Sequence, residues 1–189
     1  MPRVEIHVDQ LRSRGSLLQQ LLRPLARQSS VGPAWQNRTG PSSWVIAMHD
    51  GSPPVSDHLA WRFATFVPHV RAGYYESWIP LGEGLWCLDR AYLHVYKTIS
   101  GTAEEKDFVF LHCEPNEPAG TRHGPYKRGP HLHVKAAEPP LPRAHIALMG
   151  RQALDLCMSS VDALTDALGW AVGMLKDQVL DPMWEDSVG

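Results

Sequence analysis

The side chains best suited to chemistry in this sequence are histidines, and their spacing is more informative than their number. The chain has 189 residues and ten histidines. His94 alternates with Tyr92 and Tyr96, His112 with Phe108 and Phe110, and His131 with His133 and Lys135, each at intervals of two. Residues two apart on a strand project to the same side, and neighbouring antiparallel strands lay such faces next to each other. The spacing therefore predicts that His112, His131 and His133 line one surface. His145, beyond a run of prolines, closes it from the side.

Imidazole titrates near neutral pH and, in its neutral form, ligates metal ions. Two chemistries follow. In one, His112, His131 and His133, joined by His145 or Glu114, hold a divalent ion such as zinc, manganese or iron, which activates water for attack on a phosphate or carbonyl. In the other no metal takes part: two histidines serve as general base and acid on a phosphodiester, and a nearby cation stabilises the developing charge. The loop from Gly120 to Pro130 bears on both readings. Arg122, His123, Lys127 and Arg128 stand there among three glycines and two prolines, in a chain whose net charge is −2. Glycines let a ligand approach the backbone, and Arg122, Lys127, Arg128 and Lys135 are suited to anionic oxygens. Tyr92, Tyr96 and Tyr126 are suited to stacking on a base. A solvated surface loop is the plain alternative for the basic segment, and a hydrogen-bonded structural role is the plain alternative for a lone strand histidine such as His7, His58 or His69.

Other chemistries are disfavoured. Gly82-Glu83-Gly84 lacks the third glycine of a dinucleotide fingerprint, and neither a GxxxxGK[ST] loop nor a G-x-S-x-G elbow occurs. The place of a third alternating histidine after His131 and His133 is taken by Lys135, unlike the run of the histidine-triad nucleotide hydrolases. The glutamate spacing and glycines of a cupin are also missing. His49-Asp50, at a strand end beside Gly51-Ser52-Pro53-Pro54, is a weaker second candidate.

The elements that must position these residues read as an α+β fold in a single domain spanning 1–189. Val4, Ile6 and Val8 alternate as a first strand, and Leu17, Leu18, Leu21, Leu22 and Leu25 follow as a helix over 16–27 capped by Ser16. The stretch from Asn37 to Ser43 reads as a loop. Strands are expected at Trp44–Met48, at Leu85–Ile99 with a bend near Asp89-Arg90, at Phe108–Cys113, at His131–Ala136 and at Ala144–Leu148, mainly as an antiparallel meander. Leu154, Cys157, Val161, Leu164, Leu168, Ala171 and Leu175 form the stripe of a long C-terminal amphipathic helix. Ser159 or Ser160 caps its main segment, and Asp181-Pro182 ends it near Leu180.

Hydrophobic residues make up 43% and charged residues 20%, ordinary globular usage, and a pI near 6.5 excludes nucleic-acid binding driven by global charge. Charges at Arg3, Glu5 and Asp9 interrupt any signal-like apolar core, no run is long enough to span a membrane, and a cytoplasmic protein is expected. Cys87, Cys113 and Cys157 are odd in number and lack a CxxC spacing, so they read as small buried hydrophobes rather than disulfide or thiolate ligands. The functional expectation is a small histidine-based hydrolase, a phosphodiesterase or ribonuclease acting on RNA or nucleotides. The alternatives are a His-ligated metal-binding protein, or a non-catalytic subunit of a larger bacterial assembly that meets a protein partner through its Trp/Tyr-rich segment 59–86.

Overall fold

A computed structural model describes residues 3–27, 35–38, 43–49, 61–99, 102, 104–116, 127–134, 144–147 and 159–188. It shows an α+β architecture in which a large antiparallel sheet carries helices from both ends of the chain. Its spine is a long hairpin of β5 (Val70–Gly82) and β6 (Leu85–Thr98). Glu83 and Gly84, with φ of 51° and 79°, form the two-residue turn between them. Positive φ at both central positions is what a tight right-twisted hairpin needs. The glycines of this segment thus serve a turn.

β7 (Glu105–Cys113), β8 (His131–Val134) and β9 (Ala144–Ala147) extend the sheet beyond β6 as the expected meander. On the other side β3 (Trp44–Ala47) pairs with β5, and β2 (Trp35–Arg38) pairs with β3. β2 overlaps the stretch read as a loop; four residues ending in a polar Gln-Asn-Arg run carry too little periodicity to mark a strand. Two short strands lie off this path: β1 (Glu5–His7) pairs with the start of β6, and β4 (Phe63–Ala64) with β5. The bend near Asp89 is a β-bulge. Ser77 pairs with Arg90 and Trp78 with Leu88, which leaves Asp89 as the extra residue. A second bulge lies between the Val95–Val109 and Tyr96–Asp107 pairs, with Phe108 as the extra residue.

The first helix starts earlier than its leucine pattern indicates. α1 runs Val8–Leu22, and Ser16 is an exposed residue within it. Its cap is His7: the side chain accepts from the Asp9 N–H, and Gln10 accepts from the His7 N–H, a reciprocal capping box. The alternation of 3–8 is therefore cut at His7. Pro24 falls in a 3₁₀ turn, Arg23–Leu25, after the helix has ended. At the other end Ser160 Oγ accepts from the Ala163 N–H at 3.1 Å and caps α2, Val161–Leu175, as expected. Pro182 does not stop the helix. A π-helical turn, Lys176–Leu180, precedes α3, Asp181–Val188, so the ladder is already widened where Pro182 lacks its N–H.

Leu11, Leu18 and Leu22 of α1 and Leu164, Leu168, Ala171 and Leu175 of α2 join Ile46, Ala72, Trp78, Leu93, Val95 and Leu111 in one core on a single face of the sheet. Inside it the Arg14 guanidinium grips Glu76 through Nε (2.6 Å) and Nη2 (2.7 Å). Tyr74 and Trp78 donate to the same carboxylate at 2.6 and 3.0 Å, and Arg14 Nη1 reaches Thr165 Oγ1 on α2 at 3.0 Å. Burial disfavours the Arg14 charge, but the facing carboxylate outweighs it and the pKa lies above the ordinary value. Cys87 and Cys113 are buried, as expected, and Cys157 lies outside the described residues. Trp61, Trp78 and Trp86 are also buried, so the aromatic segment proposed as a docking surface spends these rings on the fold. Among the described residues, the tryptophans facing solvent are Trp170 and Trp184 on the C-terminal helices. Among the described residues no helix is long and apolar enough to cross a membrane.

Candidate metal centre

The opposite face of the same sheet carries the histidines, and strand register sets them in two rows. Across β5 to β9 one row reads Gly73, His94, Phe110, His133, His145, and the next reads Tyr75, Tyr92, His112, His131, Ala147. Sequence-distant histidines thus become neighbours through backbone pairing. His145 takes the register position beside His133, and its side chain lies outside what is described.

His112, Glu114, His131 and His133 each turn a ligand atom toward a common point, with all four atoms within 4.8 Å of one another. His131 is fully buried, and the other three are half-buried. His131 Nδ1 lies 2.9 Å from the Gly129 carbonyl oxygen. A carbonyl can only accept, so Nδ1 carries the proton and Nε2 of the neutral ring keeps its lone pair. That Nε2 stands 3.1 Å from His133 Nε2. Two nitrogens about 2.0–2.1 Å from one tetrahedral ion would be about 3.3 Å apart, close to this spacing. His112 Nε2 contacts His94 Nε2 at 2.7 Å, and His94 Nδ1 contacts Tyr96 Oη at 3.0 Å.

Glu114 follows the end of β7, two residues after His112, and its N–H donates to the Lys127 carbonyl at 2.8 Å. Its Oε1 accepts from the Tyr92 hydroxyl; its Oε2 is buried and has no hydrogen-bond partner among the described residues. The Tyr92 ring lies flat on His112, centroids 3.8 Å apart, so one tyrosine orients two members of the cluster. Burial, then the bond to Glu114, raises the Tyr92 pKa far above that of an ordinary phenol, and the group is a fixed donor.

The described part of the basic loop also supports the cluster through its main chain. Lys127 and Arg128 are half-buried, and their main chain braces the centre: Lys127 O holds Glu114, and Arg128 O accepts from the Cys113 thiol at 3.2 Å. Arg128 Nε points to the Pro115 carbonyl at 3.4 Å. Arg122 and Lys135 lie outside the described residues. His49 packs edge-on against Trp61, at 4.9 Å, and Asp50 is also outside the described residues. His94 and Tyr92 share this face by alternation, and both contact the cluster. Their alternation showed the face, but only strand register could show the partner.

Three members of the cluster have a partner behind them, His131 at Gly129, His112 at His94 and Glu114 at Tyr92, and the four residues together could hold a metal ion. Comparison of the chain with protein-family models, with curated proteins and with solved structures gives no match.

Proposed function

We propose that His112, Glu114, His131 and His133 hold one divalent ion, zinc, manganese or iron, and that the protein is a metal-dependent hydrolase of phosphoesters in nucleotides or RNA. The observation that carries this reading is the convergence of three imidazoles and one carboxylate within 4.8 Å, at a carboxylate whose second oxygen is buried without a hydrogen bond among the described residues. The surrounding hydrogen bonds support one choice of ligand atoms. His131 ligates through Nε2 because Nδ1 is committed to Gly129, Glu114 through Oε2 because Oε1 is committed to Tyr92, and His112 through Nδ1 because Nε2 faces His94. These residues would hold the ion, and the ion would supply an acidified water as nucleophile and polarise the phosphoryl oxygen. Attack at phosphorus would break the ester P–O bond, and the departing oxygen would take up a proton. The sequence around Arg122, Lys127, Arg128 and Lys135 offers cations for the remaining phosphate oxygens.

A second reading has its own support. With no metal, His133 Nε2–H donates to His131 Nε2, and the two act as an acid–base pair on a phosphodiester. Elemental analysis and chelation separate the two. The metal reading expects about one ion per chain, its loss in a His131→Ala, His133→Ala double variant, and cleavage of a nitrophenyl phosphodiester that stops with chelator and returns with zinc or manganese. Cleavage that survives complete removal of metal would establish the histidine pair instead. A protein that takes up no ion on titration and cleaves no phosphoester would refute both.

A further inference from the structure

Beside the metal centre, on the same face, lies a cleft of about 250 Å³. It shares a wall with the centre, because Tyr92 and His94 line it and also contact His112. Tyr75 and Trp61 form the far wall and pack with Val45 and Ala47 in a small apolar cluster separate from the main core. Tyr75 meets Tyr92 edge to face at 5.2 Å. Tyr96 closes one end, with the Arg62 guanidinium 3.8 Å from its ring centroid. Gly73 lies among these residues, paired with His94, and a Cβ there would sit 2.8 Å from the Trp61 carbonyl oxygen. Only a residue without a side chain lets the Trp61 main chain approach β5 this closely.

Charge and size narrow the occupant. Arg62 is already engaged by Glu105 at 3.3 Å and by its own neighbour's carbonyl at 2.9 Å, so its charge is largely answered. Burial pushes the Tyr75 hydroxyl up to about 12, and it stays neutral at physiological pH. A space lined mainly by aromatic rings and carrying little uncompensated charge suits a planar heteroaromatic ring. Pockets for drug-sized ligands measure about 300–1,000 Å³, so this one holds a single ring system.

We propose that the Trp61–Tyr75–Tyr92–Tyr96 cleft seats one nucleobase of the substrate, placing its phosphate at the metal centre across the shared Tyr92–His94 wall. The inference rests on the phosphoesterase reading for the phosphate's position, but base binding is measurable without turnover. Calorimetric titration of the full chain with the common ribonucleosides, their 5′-monophosphates and ribose 5-phosphate tests it, in metal-loaded and metal-free protein. At least one nucleotide is expected to bind about tenfold or more tighter than ribose 5-phosphate, the magnitude of stacking one base. The matching nucleoside is expected to bind metal-free protein. Tyr75→Leu should collapse the tenfold gap while Tyr75→Phe preserves it, with metal content the same in both. Nucleoside binding without any metal-dependent hydrolysis would keep the cleft and overturn the hydrolase. Equal affinity for ribose 5-phosphate and every nucleotide, or a gap that persists in Tyr75→Leu, would overturn the cleft. Competition by a short oligoribonucleotide identifies the base as that of a chain end, and its absence as that of a free nucleotide.

Discussion

Two carboxylates on opposite faces of one sheet each accept a hydrogen bond from a tyrosine, and they differ in what surrounds the rest of the group. Glu76, on the helix-covered face, is fully buried and receives four donors from Arg14, Tyr74 and Trp78. Glu114, on the histidine face, receives Tyr92 on one oxygen and keeps the other buried without a hydrogen bond among the described residues. A buried charge is tolerated when its partners are complete. The first carboxylate is closed and joins α1, α2 and β5. The second keeps one oxygen without a hydrogen bond among the described residues, beside three imidazoles with which it could hold an ion.

The largest expected effect tests the closed side. Glu76→Gln strands the Arg14 charge in the core and is expected to cost about 3–5 kcal/mol in urea unfolding. A loss under about 1 kcal/mol would mean that water reaches this network. Glu114→Gln should move stability of the metal-free protein far less, yet weaken metal affinity at least about tenfold, since even residues that only support a ligand are worth that much. Calorimetric metal titration reads this directly, and an unchanged affinity would remove Glu114 from the centre.

Alkaline pH probes the tyrosines of both faces. Burial raises Tyr74, Tyr75 and Tyr92 above the ordinary phenol value, Tyr75 to about 12. A pKa raised in the folded state stabilises the fold fully below the unfolded value of about 10 and loses that contribution as pH rises through the folded value. The urea midpoint should therefore fall between about pH 10 and 12, and tyrosinate absorbance should appear later in folded than in unfolded protein. Coincident titrations of the two would show these hydroxyls to be solvated. The smallest effect is expected at Trp170, which is 78% exposed on α2. Trp170→Gln should change stability by no more than about 0.5 kcal/mol, and a larger loss in thermal unfolding would reveal a contact for that ring.

Period-two alternation made much of the histidine face legible, because side chains on a strand must alternate: His94 with Tyr92 and Tyr96, and His131 with His133. It failed at Trp35–Arg38, whose strand is defined by pairing with β3. The start of α1 was hidden for a different reason. Histidine is not among the usual capping residues, so His7 read as part of a strand although Gln10 stood three positions on, where a capping box needs it.

By itself the sequence determined local quantities: which positions alternate, which face of the C-terminal helix is apolar, that Ser159 or Ser160 caps it, and that histidines recur at strand spacing. Each depends only on the geometry of a few consecutive residues. Tertiary structure alone decided that Tyr75, Tyr92, His112 and His131 share one row, that Glu114 lies within reach of three imidazoles, and that Arg14 answers Glu76 across 62 positions of chain. Those contacts follow from strand register and helix docking, and register is set by the sum of pairings and bulges over the whole sheet.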